Sequence, residues 1–193
     1  MLKRLYNRVL SYAHTPYGVW ALFLIAFAES SFFPIPPDVL LIALSLALPK
    51  KAFRFAAISS VGSVLGGIFG YAIGLYFMEG IGYNILKLYG WTDRYLYLQQ
   101  LYRHYDAWAV GIAGFTPIPY KIFTISAGAF GINFFVFVIA SIVSRSARFF
   151  MVSALIYKYG ERIKVFIDRY FNLLTVAFTL LLILGFFVMK FVV

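Results

Sequence analysis

Two stretches of the chain, FPIPPDVLL at residues 33–41 and TPIPYKIFT at residues 116–124, set prolines and a charge into apolar sequence. They align at a shift of 83 residues. Pro34 falls on Pro117, Ile35 on Ile118, Pro36 on Pro119 and Asp38 on Lys121. Proline removes a backbone donor and disrupts a helix interior. Pro34, Pro36 and Pro37 therefore break one apolar segment, and Pro117 and Pro119 break a second. Each break is followed by a short turn, PKKAFR or GINFF, and then by a long apolar run. The chain reads as two copies of a hairpin-plus-helix unit with one extra helix at the end.

The solvent for such a unit is lipid. The 193 residues are 63% apolar and 12% charged, with a mean hydropathy of +0.86; soluble domains carry about 25% charged residues. Residues 55–78, 134–157 and 170–189 are long enough to cross a bilayer, which takes about 20 residues. The arms 17–32 and 39–48 are too short, so residues 17–48 read as a re-entrant hairpin that breaks at its prolines. Irregular backbone is tolerated at that depth only when buried in protein or lining a wet cavity. The expected fold is all-α and polytopic: two inverted repeats of hairpin plus transmembrane helix. The membrane domain covers 17–160, with repeat one at 17–78, an interfacial segment at 79–106 and repeat two at 107–157. Residues 1–16 read as an amphipathic surface helix, with Leu2, Leu5, Tyr6 and Val9 on one face and Lys3, Arg4 and Arg8 on the other. Residues 161–193 form a linker and the last span. The basic, apolar N-terminus has Glu29 and prolines where a cleavage site would lie, so it reads as retained rather than as a signal peptide.

The net charge of +10 sets topology rather than a nucleic-acid face. With the N-terminus cytoplasmic, the segments assigned inside hold ten lysines and arginines against two acids. The loop 79–106 holds three against three. That is the positive-inside asymmetry, and it gives the two repeats opposite orientation, as in many secondary transporters. The expected location is a prokaryotic cytoplasmic membrane.

Five charges remain within the membrane zone: Glu29, Asp38, Lys121, Arg145 and Arg148. Glu29 and Asp38 flank the first break, and Arg145 and Arg148 share a helix face. Intramembrane charges are costly and usually functional. One reading is a polar cavity in which Lys121, Arg145 and Arg148 bind an anionic headgroup and the acids carry protons. The other is mutual neutralisation that locks the fold. Asp38 also suits an N-cap for a helix starting at Val39, and Thr92 a cap for the helix through Leu98 and Tyr105. Tyr120 suits an interfacial aromatic. Ser59, Ser60, Ser63, Ser141 and Ser144 suit back-bonding to their own helices. Gly62, Gly66, Gly70 and Gly74 recur every fourth position and make one helix face smooth enough for close packing. With no cysteine and two histidines, no metal or other cofactor is expected.

Together the inverted hairpins, the acid ahead of FPIPPD, the run Gly66, Gly70, Tyr71, Gly74 and the stretch GFTPIPYK resemble the DedA superfamily, whose domain is called VTT, and its short YqaA-like branch. The resemblance implies an inner-membrane protein that moves or scrambles phosphate-bearing lipids, phospholipid or polyprenyl phosphate, with protons as the candidate coupling ion. It implies that Glu29 and Asp38 match the family's essential acids. The family's second-hairpin pattern of two arginines around a proline is reduced here to Lys121. The expected partners are lipids with anionic headgroups, and protons, with no nucleic acid; the sequence leaves the oligomeric state open. The alternatives are a proton-coupled small-solute exporter and a non-transporting assembly factor. An enzyme acting on lipid phosphates would want a nucleophile or metal cluster, and the few acids and two histidines argue against it.

Overall fold

The computed structural model describes residues 16–33, 35–116, 119–160 and 162, which are helical apart from short turns, with no strand among them. Residues 1–15 of the expected surface helix and the last span 170–189 lie outside the described residues, as do Pro34 and Pro117. Helix α1 is Pro16–Ser31 and α2 is Pro37–Ala47. A tight turn, Pro49–Lys51, leads directly into α3, Ala52–Phe77. A wide turn at Met78–Gly82 joins α3 to α4, Tyr83–Leu88. Then follow α5, Thr92–Phe115, α6, Tyr120–Ala129, and α7, Phe134–Gly160.

The prolines place the helix starts. Pro36 is the extended residue before α2 and Pro37 its first residue, while Pro119 precedes α6. Proline suits a first helical turn, where its missing N–H has no partner to lose. The starts at Pro37 and Tyr120 are 83 residues apart, the spacing of the sequence repeat. The turns after the two short helices are built differently. After α6, Gly131 has a φ of 63°. Its N–H bonds Gly128 O at 3.0 Å, and the Ile132 N–H bonds Ala127 O at 3.1 Å, a Schellman close. Asn133 then caps α7, its Oδ1 accepting from the N–H groups of Phe135 and Val136.

Asp38 is the second residue of α2 and makes no cap, and Thr92 begins α5 after Trp91 with no side-chain cap. Both capping expectations are therefore corrected. In each case the helix starts at or before the polar residue, so its side chain is not placed to reach back. Helix α5 also runs to Phe115, past the boundary expected at 106, since residues 107–115 hold no charge and no proline.

Helix α3 lies between α1 and α6. A Cβ on Gly62 would lie 2.7 Å from Phe23 O, and one on Gly66 would overlap the Phe27 carbonyl. On Gly70 it would strike Thr124, and on Gly74 the Ile125 carbonyl. From the α6 side, a Cβ on Gly128 would overlap the Tyr71 carbonyl. Helix backbones this close leave no room for side chains between them.

The outer faces of α3 and α7 are apolar, and a layer of the interior is polar. Phe53, Val61, Leu65, Phe69 and Tyr76 face outward on α3, and Phe135, Ile139, Val143 and Phe150 on α7. The inward faces carry Ser59, Ser60, Ser63, Ser141, Ser144 and Arg145. Apolar-out, polar-in is stable only where the surroundings are apolar. At 1.5 Å per residue, the 27 residues of α7 exceed the ~30 Å hydrocarbon core.

Candidate functional site

Two apolar clusters bracket a polar layer. Leu22, Leu41, Leu44, Phe55, Ala56 and Phe149 form one cluster. Tyr71, Val110, Ala113, Tyr120, Ala127, Ile132 and Phe137 form the other. Between them on α7 come Ser141, Ser144 and Arg145. The Arg145 guanidinium lies 4.8 Å from the ring centres of both Tyr120 and Phe149, one from each cluster.

Arg145 is 1% exposed and pairs with Glu29, Nη2 to Oε2, at 2.7 Å. Its Nε–H donates to Ser63 Oγ. Ser63 and Ser30 hydroxyls lie 2.7 Å apart, and Ser30 donates to Glu29 Oε2 at 3.1 Å. Charge and hydroxyls thus close a ring through α1, α3 and α7. Each bond shares the cost of burying the cation, which unpaired would be large.

Arg148, one helical turn on, takes a different acid. Its Nε reaches Asp38 Oδ1 at 3.2 Å and its Nη2 reaches Oδ2 at 2.7 Å, the bidentate fork that only arginine offers. Its Nη1 donates to Thr116 O at 2.6 Å. Thr116 closes α5 in extended backbone. A single guanidinium therefore joins the helix that follows the first proline break to the residue that opens the second. This pair is about one-fifth exposed on each side, against 1% and 16% for the Arg145 pair.

The structure thus brings together Glu29, Asp38, Arg145 and Arg148, with each arginine paired to one acid. Lys121 is set apart: it sits half-buried in the first turn of α6, with no ion-pair partner among the described residues. Tyr120 is fully buried and donates to Ser141 Oγ, so the interfacial reading of Tyr120 is corrected. Ser60, Ser141 and Ser144 do bond their own helices. Ser63 instead serves Arg145, and the Ser59 hydroxyl has no partner among the described residues. Sequence reasoning also passed over Ser30, Thr116 and Thr124. Thr124 Oγ1 donates to Ser30 O at 3.0 Å and ties α6 to α1. The one signal in the sequence was the adjacency of Ser30 to Glu29. Among the described residues, no three His, Cys, Asp or Glu side chains group as a metal site would require.

The VTT domain family matches residues 35–158, which include Pro36, Pro37, Asp38, the second break and both arginines but not Glu29 or Pro34. An uncharacterized protein of Haemophilus influenzae is 36% identical over 186 residues, 96% of each chain. One from Histophilus somni is 34% identical over 151 residues, 78% of each. A third, from Methanocaldococcus jannaschii, is 29% identical over 137 residues, 70% of this chain and 82% of its own. No solved structure matches significantly. A family match over most of the chain, two proline-broken helix pairs and a charge-bearing interior lead to one conclusion: the chain belongs to the VTT-domain family of the DedA superfamily.

Proposed function

We propose that the protein moves phosphate-bearing lipids between leaflets and that Arg148 is the point of exchange. One observation carries the reading: the Arg148 fork is held by a carboxylate, Asp38, with the geometry a phosphate would use. Lipid phosphate and Asp38 then compete for one guanidinium. Protonation of Asp38 releases the fork, which supplies a route to proton coupling. Lys121, without a competing acid among the described residues, adds a second positive charge at the start of α6. The Glu29–Arg145 ring, more deeply buried, holds α1, α3 and α7 together while the exchange takes place.

In this reading α1–α2, and α6 with the end of α5 from residue 107, are re-entrant hairpins of opposite orientation. The 16, 11 and 10 residues of α1, α2 and α6 suit it, being too short to cross ~30 Å at 1.5 Å per residue.

Purified protein in liposomes carrying a fluorescent phospholipid tests it. Wild type is expected to render the inner-leaflet label accessible, and Asp38→Asn and Arg148→Ala to abolish that while remaining folded. Equal activity in wild type and both variants would refute it. A second reading, a static lock, is favoured by the complete pairing of both arginines. It requires the charge-swapped Asp38→Arg with Arg148→Asp to regain whatever activity the single variants lose.

A further inference from the structure

The end of α7 carries a cavity remote from the ion pairs. It holds about 550 Å³ and is lined by Pro49, Ile156, Tyr157, Lys158, Tyr159 and Arg162, among others. Among the described residues, two cations and two phenols line it and no acid does. Ile156 is buried and supplies an apolar wall. Cations near a helix C-terminus complement its dipole, and that accounts for the charges but not for a cavity lined by both of them.

A second feature starts at the same place. Tyr157 lies 5.4 Å, centre to centre, from Phe53, and Phe53 lies 6.2 Å from Phe150. All three rings are exposed. They form a ladder that runs from the cavity down the outer face of α3 and α7. Arg145 and Arg148 flank the midpoint of α7, and Tyr157 lies about ten residues beyond it, or ~15 Å at 1.5 Å per residue. Half of a ~30 Å hydrocarbon core is the same distance; with the midpoint of α7 at the bilayer centre, the cavity would lie at headgroup level and the ladder at acyl-chain level.

We propose that this cavity is a binding site for one anionic phospholipid, its phosphate between Lys158 and Arg162 and its chains along Tyr157, Phe53 and Phe150. The site rests on the membrane reading and not on transport. Its occupant is a resident lipid that fixes α7 against the turn Pro49–Lys51.

Native mass spectrometry of the full chain, released from mild detergent with phosphatidylglycerol or phosphatidylcholine, tests it. Wild type is expected to retain phosphatidylglycerol preferentially. A cation near a membrane surface is worth about fivefold in affinity for anionic lipid. Lys158→Ala with Arg162→Ala is therefore expected to remove about 25-fold of the preference. If that pair does not fold, Lys158→Gln alone is expected to lower the preference about fivefold. Phe53→Ala is expected to lower retention of both lipids alike. Equal retention of the two lipids by wild type, or a preference that survives loss of the cations, would overturn the site. So would glycerol 3-phosphate held as firmly as the whole lipid, which would mark a free-phosphate pocket. A protein inactive in transport that still loses phosphatidylglycerol with Lys158 and Arg162 would sink the proposed function and leave this site standing.

Discussion

Arg148 grips both carboxylate oxygens of Asp38, at 3.2 Å from Nε and 2.7 Å from Nη2, while its third nitrogen holds the Thr116 carbonyl. A lysine in its place would keep the charge and lose the fork. Charge-assisted hydrogen bonds contribute about 1.5–3 kcal/mol each. Arg148→Lys is therefore expected to lower lipid movement by about tenfold or more, and Arg148→Ala further. Lys121→Arg, at a cation with no acid partner among the described residues, is expected to change it less. Rates in liposomes decide, and an order reversed between Arg148→Lys and Lys121→Arg would contradict the role given to Arg148.

The Glu29–Arg145 pair makes a stability prediction. Glu29→Gln leaves a cation at 1% exposure without its counter-charge. Breaking a buried pair from one side costs about 3–5 kcal/mol. Replacing both partners, Glu29→Leu with Arg145→Met, is expected to recover most of that loss. Thermal unfolding in detergent measures it; a single variant as stable as wild type would show that the ring is not what holds α1 to α7.

Gly66 and Gly74 of α3 divide sharply from Gly80 and Gly111. Gly66→Ala and Gly74→Ala each drive a methyl into a backbone carbonyl, and overpacking of this kind costs about 1–3 kcal/mol. A methyl added at Gly80 or Gly111 would meet nothing within 4 Å, so Gly80→Ala and Gly111→Ala are expected to be neutral or slightly stabilising. Unfolding midpoints of the four variants check the contrast.

Topology is testable without background, because the chain has no native cysteine. Lys51 and Lys87 are both exposed. In whole cells an impermeant thiol reagent is expected to label Lys87→Cys and spare Lys51→Cys. The reverse pattern would overturn the orientation derived from charge.

What was legible in the sequence were the features set by backbone chemistry. The prolines announced both short helices, and the four-residue glycine period announced the close face of α3. Arg145 and Arg148 were legible as neighbours on one face. Their division was not. Three residues of helix turn Arg145 toward α1 and α3 and Arg148 toward α2 and the end of α5. Which acid each meets is set by packing across more than 100 residues of chain. The burial of Tyr120 was hidden for a similar reason: beside a proline and a lysine a tyrosine reads as interfacial, and only the approach of Ser141 and Arg145 makes it a core residue.

The glycine seams give the molecule two kinds of joint. Where α3 meets α1 and α6, main chain rests on main chain, with no flexible side chain between to absorb a displacement. Those three helices pack as one slab. Helix α2 meets α7 through a different device, a carboxylate and a guanidinium that can let go and take another partner. A weld beside a clasp tells a moving machine where to open. If the proposed function holds, the slab formed by α1, α3 and α6 is the frame, and the contact between Asp38 of α2 and Arg148 of α7 is where the molecule would open.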